Sequence, residues 1–220
     1  MLESRTHLLM ALLVGGIALP SAAGAASLLA SVKGDDGEPV SDAVVEAVPL
    51  GGGGMPAQAA TVKIDQVDKE YVPYITALQV GTAVSFPNLD NIRHHVYSFS
   101  KAKTFEIPLY KGTPAAPIQF DETGPVTLGC NIHDWMTAYV FVAETPYFGM
   151  TAADGSVTLR DLPAGDYDIR VWHPRLKGEA GSTAQRVSIN GAAASVSFTI
   201  QQKRLWRARR APTGGQGSYR

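Results

Sequence analysis

Leu128-Gly129-Cys130-Asn131-Ile132-His133-Asp134-Trp135-Met136 is the stretch of this chain on which the reading turns. An alternating run, Val126 to Cys130, leads into it, and a second one, Ala138 to Val142, follows it. Period-two alternation on both sides of a short polar break predicts two strands joined by a tight connection. Cys130 then ends one strand, His133 lies in the loop, and Met136 begins the next. A thiol, an imidazole and a thioether are brought together by one hairpin connection.

Further out, the same texture continues. From Ala26 onward, short alternating runs are broken by Gly, Asp and Pro, with no sustained period of 3.6, which predicts an all-β protein. Strands are expected over 28–33, 43–48, 62–66, 75–80, 83–86, 94–99, 118–120, 126–130, 138–142, 157–159, 167–172 and 194–200. The run Phe86-Pro-Asn-Leu-Asp-Asn-Ile-Arg-His94-His95-Val-Tyr-Ser-Phe99 supplies a second source of imidazole at the start of a strand. Two imidazoles and a thiolate in a plane, with a weak axial thioether, form the donor set of an electron-transfer copper site. Adjacent strand residues point to opposite faces, so only one of His94 and His95 can enter the site. Alternation alone leaves the choice open, because His95, Tyr97 and Phe99 share a face. Asn88 and Asp90 are expected to stiffen the loop before His94 through Asx turns, and Asn131 the loop after Cys130.

The whole chain has 220 residues, 19 basic against 20 acidic, and one cysteine. A single cysteine excludes an intramolecular disulfide scaffold, and the balanced charge argues against a nucleic-acid partner. Arg5 and His7, the apolar run Leu8 to Leu19, and the small residues ending Ala23-Gly24-Ala25 read as a signal peptide cleaved after Ala25. That places the protein in the periplasm, where an unpaired thiol needs burial or a metal. Charge is unevenly distributed. Residues 201–220 carry Lys203, Arg204, Arg207, Arg209, Arg210 and Arg220 with no acid, whereas residues 26–200 are net acidic. A flexible basic tail with weak membrane-surface contact is the expectation for that segment.

The C-x-x-H-x-x-M spacing of Cys130, His133 and Met136, with His94-His95-Val96 upstream, resembles the blue copper proteins, or cupredoxins, of the amicyanin and plastocyanin kind. Val84-Ser-Phe-Pro-Asn-Leu-Asp, the Cys130 loop and Thr145-Pro-Tyr-Phe together resemble the bacterial cupredoxin-containing proteins called methylamine utilization proteins. Matching His-His-Val to the family's His-Asn-Val selects His94 and puts His95 in the place of the asparagine. The resemblance implies one copper ion, Cu(II)/Cu(I), held by His94, Cys130, His133 and Met136. It also implies a periplasmic carrier of single electrons, with redox partners such as a dehydrogenase or cytochrome. The exposed edge of His133 would pass the electron.

Two flanking segments, Ser31 to Ala47 and Thr151 to Val171, resemble a carboxypeptidase regulatory-like, transthyretin-like sandwich. The expected organisation is a signal peptide over 1–25, a split β-sandwich over 26–60 and 145–200, a cupredoxin Greek-key β-sandwich over 61–144 inserted into it, and the tail over 201–220. Gly51 to Gly54 would form the hinge at the insertion. The competing reading is a copper-binding or carbohydrate- or protein-adhesion module without redox function. No enzyme is expected. Cys130 and His133 lack an evident orienting acid, and a copper reductase would need a second His-rich site for which only His95 and His173 remain. His173, in Trp172-His-Pro174, is expected to be structural.

Overall fold

The computed structural model describes residues 26–51, 60–114 and 116–204, which form seventeen strands and one 3-10 turn, Ala180–Thr183. The signal segment 1–25, residues 52–54 of the hinge and residues 205–220 of the tail lie outside the described residues. Among the described residues no helix is long and apolar enough to cross a membrane. The protein is all-β.

Ala26–Gly34 lies between Ser156–Leu162, antiparallel, and Ala194–Ile200, parallel. Leu28, Ala30 and Val32 alternate into the interior, while Leu29 turns out, 48% exposed. A second sheet, in the order Phe148–Met150, Val44–Pro49, Gly165–Trp172, Gln185–Ile189, faces it across a core that includes Leu28, Val45, Ile169 and Phe198. The chain leaves these two sheets after Pro49 and re-enters at Phe148.

The intervening residues build a further five-stranded sheet in the order Ile75–Gln79, Thr137–Ala143, Gly124–Gly129, His94–Ser100, Lys103–Tyr110. Ile118–Phe120, Thr82–Ser85 and Thr61–Lys63 form another sheet, and Asp65–Val67 pairs with Glu70–Val72 in a hairpin. Phe86, Val96, Phe120, Leu128, Met136 and Val140 share the core between them.

A third, smaller cluster joins the two halves: Val44, Ile75, Phe141, Ala143 and Trp172, with Phe141 stacked on Trp172 at 5.2 Å between ring centroids. Val44–Pro49 therefore has both faces covered, Val45 and Ala47 by one core and Val44 by the seam. That explains a near-continuous apolar run where alternation would otherwise be required. Glu46 interrupts the run and is only 3% exposed. Its carboxylate accepts hydrogen bonds from the backbone N–H groups of Glu144 and Thr145, where the chain crosses back. Burial raises its pKa, and those two hydrogen bonds oppose the rise.

Several strands differ from the sequence expectation. The run 62–66 is two strands broken at the fully buried Ile64: Thr61–Lys63 pairs with Thr82–Ser85, and Asp65–Val67 turns to its own hairpin partner. Lys103–Tyr110 was not anticipated because Pro108 removes a ladder donor. The segment is an edge strand with a bulge at 108–109, where Pro is tolerated. Phe148–Met150 and Gln185–Ile189 are likewise sheet edges with too few buried positions to show a pattern. Glu70–Val72 has only three residues.

His173 follows Trp172 at the seam, 8% exposed, and its Nδ1 accepts the Arg175 N–H at 3.2 Å. Burial first, and the nearby Arg175 charge second, pull its pKa down to about 4. The unfolded chain takes up a proton near the ordinary 6.5 while the folded chain does not. Stability is therefore full above that value and falls as pH drops through the window toward 4. Urea titrations at pH 7 and pH 5 should show a smaller difference for His173→Gln than for the native protein. An unchanged difference would place the acid sensitivity elsewhere.

Candidate metal centre

One loop and three strands place the candidate donors. Gly124–Gly129 delivers Cys130, and Thr137–Ala143 leaves from Met136. The connection between them closes with the Met136 N–H donating to the His133 carbonyl at 2.9 Å. His94 opens the strand His94–Ser100, in the same sheet. His94, Val96 and Ser98 are fully buried on one face of the strand, while the other face opens progressively from the buried His95 through the half-buried Tyr97 to Phe99, 76% exposed. His94 is thereby placed inside with the cysteine.

Ligand-capable atoms of His94, Cys130 and His133 lie within 4.8 Å of one another. Cys130 Sγ is 3.8 Å from His133 Nδ1, and the rings of His94 and His133 are 5.0 Å apart between centroids. Ligands bound to one ion at about 2.0–2.3 Å lie at separations of this order. Cys130 is 4% exposed and His94 fully buried, whereas His133 is partly open to solvent. Met136, 1% exposed, belongs to the same core cluster as Cys130.

Whether these residues fit a metal is tested by the buried nitrogens. His94 Nε2 is 2.7 Å from Asp90 Oδ2, and His94 Nδ1 is buried without any hydrogen-bond partner. An orphaned polar atom in the interior costs about 1–3 kcal/mol. A metal ion bound beside the sulfur would satisfy it. The donors also suit a soft or borderline transition ion, since thiolate and imidazole favour copper or zinc over magnesium or calcium. His133 is prepared in another way. Burial, then the neighbouring His94 ring and the Lys69 charge, lower its pKa, which favours the neutral imidazole with a free lone pair.

Around the donors, Asn88 makes the Asx turn expected of it: its Oδ1 accepts the Asp90 N–H at 3.0 Å. Its Nδ2 donates to the carbonyls of Ile92 and Tyr110, at 2.9 and 2.8 Å. Asp90 does something else. Its carboxylate reaches across to the backbone of the neighbouring hairpin, accepting the N–H groups of Asp68 and Lys69 as well as engaging His94. Asn131 is exposed.

Tyr71 was not singled out from sequence because its three-residue strand gave no pattern. Its hydroxyl lies 2.9 Å from the Gly129 carbonyl and 3.2 Å from that of His95, tying the residue before Cys130 to the residue after His94. Burial, and then the neighbouring Cys130 side chain, raise its pKa and keep it a neutral donor. Gly129 has no room for a side chain, since a Cβ there would meet the Tyr97 ring at 2.6 Å. Trp135 lies beside His133, ring centroids 5.1 Å apart. His95 is paired elsewhere, its Nε2 2.8 Å from Glu106 Oε1.

No family model matches the chain, and no curated protein does. Solved structures do match parts of it. A copper-containing nitrite reductase from Thermus scotoductus SA-01 is 23% identical with a TM-score of 0.36, over 43% of this chain and 25% of that one. A purple cupredoxin from Nitrosopumilus maritimus is 25% identical with a TM-score of 0.33, over 38% of this chain and 98% of its own. An oxidised amicyanin variant is 19% identical with a TM-score of 0.34, over 46% and 98%. This chain thus spans a quarter of the length of the reductase it matches.

Asn88 is the amide on which the loop before His94 depends. Asn88→Ala leaves two partly buried carbonyls without their donor and should lower unfolding free energy by about 2 kcal/mol. Chemical denaturation of the metal-free protein measures this. A loss below about 0.5 kcal/mol, the range of ordinary surface substitutions, would refute the role.

Proposed function

We propose that the protein is a periplasmic type 1, or blue, copper protein that carries single electrons between redox partners. The observation that supports this most is the set His94, Cys130 and His133, with a buried, unpartnered nitrogen of His94 among the donors. Met136, in the same core cluster as Cys130, would add a thioether to the donor set. A copper ion held there would supply one-electron exchange between Cu(II) and Cu(I). The chain's own residues do the rest. Cys130 and His94 are buried in a β framework that holds them in place before any metal arrives, so little need move between oxidation states. His133, the partly exposed donor, offers the edge through which an electron enters and leaves.

In this reading residues 61–144 form a cupredoxin-type sandwich inserted into a carboxypeptidase regulatory-like sandwich of 26–60 and 145–200. The chain would be exported by its first 25 residues, as in the methylamine utilization type of protein. Its partners would be periplasmic or membrane-bound redox proteins such as a dehydrogenase or a cytochrome, with the basic tail making weak contact with an anionic membrane surface.

Thiolate-to-copper charge transfer gives the test. The copper-loaded, oxidised protein should show an intense visible band and a reversible one-electron wave, and Cys130→Ser should abolish the band. A colourless copper-loaded protein, together with equal copper affinity in Cys130→Ser, would leave a copper-binding module without redox function.

A further inference from the structure

Asp90 occupies an unusual position. Its Oδ2 is 2.7 Å from Nε2 of the fully buried His94, with the carboxylate side chain itself only 14% exposed. The same carboxylate accepts the Asp68 N–H at 2.7 Å and the Lys69 N–H at 2.9 Å. Those two residues are the tip of the hairpin Asp65–Val67 to Glu70–Val72, and both have left-handed backbones, φ 52° and 61°. A two-residue turn with both central residues at positive φ ordinarily uses Asn-Gly or a similar pair. Here neither residue is glycine, and Asp90 gathers both amides. Its own N–H is fixed on Asn88. The carboxylate is thus held from several directions and aimed at one ring nitrogen.

A neutral imidazole carries one proton, and whichever nitrogen donates it leaves the other bare. A carboxylate on Nε2 keeps the proton there. Nδ1, buried and without a partner among the described residues, is left bare for a metal in a ring that stands with Cys130 and His133. We propose that Asp90 is the positioning residue of the centre: it fixes His94 as the Nε2–H tautomer, presents Nδ1 to the metal, and favours the more highly charged oxidation state. This rests on the copper reading of the site. Reduction of a bound copper by a redox partner would add one electron and move no proton, because Asp90 keeps the Nε2 proton on His94 in both states.

The second carboxylate–histidine pair is an internal control. His95 Nε2 and Glu106 Oε1 are 2.8 Å apart, much as in the first pair, but Glu106 is 61% exposed and His95 is outside the donor cluster. Carboxylates hydrogen-bonded to ligating histidines typically change metal affinity 10–100-fold when removed.

The test uses the full chain with Asp90→Asn, Asp90→Ala and Glu106→Gln. Nitrogen NMR of the metal-free, histidine-labelled protein should show His94 protonated at Nε2 in the native protein and in Asp90→Asn, whose amide oxygen still accepts. Asp90→Ala should lose that preference. In the copper-loaded protein, Asp90→Asn should change the Cu(II)-to-Cu(I) affinity ratio by about tenfold toward Cu(I), a rise of about 59 mV for one electron. Glu106→Gln should change it less than twofold. A native His94 protonated at Nδ1 overturns the proposal, as does an Asp90→Asn ratio within twofold of native or an equal response from Glu106→Gln. If the native protein shows no thiolate–copper band, the copper reading fails, while the metal-free spectra still decide whether Asp90 sets the tautomer.

Discussion

A buried imidazole has two nitrogens to place, and the way His94 places them governs the centre. Nε2 goes to a carboxylate and Nδ1 has no partner among the described residues. Nδ1 of His95 is buried and unpartnered too, but of the two only His94 stands with Cys130 and His133, where a bound ion would offset the cost of the vacancy. The surrounding hydrogen bonds follow from keeping this arrangement in place. Asn88 gathers the loop that leads to His94, Asp90 links it to the hairpin tip, and Tyr71 bridges the strand of His94 to that of Cys130. Segments distant in sequence are thereby locked around one ring.

Rigidity also comes from farther away. Thr137–Ala143 starts beside Met136 and runs to Phe141 and Ala143 at the seam, a span of about 20 Å at strand rise. One end of that strand is set by the donor loop and the other by Trp172 and Val44 of the neighbouring sheets. The sheets of 26–49 and 148–200 therefore do more than flank the site. They cover the outward face of the strand that leads away from Met136, which would otherwise be exposed at Phe141 and Tyr139. Glu46 adds a buried polar contact at the crossing, specifying where the backbone of Glu144 and Thr145 must lie. Val44–Pro49 is consequently the element both halves share.

The all-β class and the meeting of Cys130 with His133 were legible because each rests on a short-range pattern, period-two alternation and close spacing within one connection. The choice of His94 over His95 was not settled by alternation, since the run does not say which of its faces looks inward. The structure puts His94, not His95, beside Cys130 and His133, and that placement depends on the sheet opposite. Asp90 was read as a local turn former. Its actual partners, Asp68 and Lys69, are more than twenty residues earlier, and nothing in a linear sequence marks such a contact. Tyr71 and the strand Lys103–Tyr110 escaped for related reasons, one lying in a strand too short to show a period and the other on an edge interrupted by proline.

The hairpin tip couples the two imidazoles through charge as well as geometry. Lys69 donates its backbone N–H to Asp90, and its positive charge is one of the influences that lower the pKa of His133. For Asp90, burial works against the charged form, but the hydrogen bonds from Lys69, His94 and Asp68 outweigh it and hold the carboxyl below its ordinary range. The single turn therefore keeps an anion beside the buried histidine and a cation near the partly exposed one. The anion orients His94, and the cation disfavours a proton on His133. Protons and metals compete for an imidazole lone pair. A turn that fixes one proton away from the site and discourages the other leaves both lone pairs available.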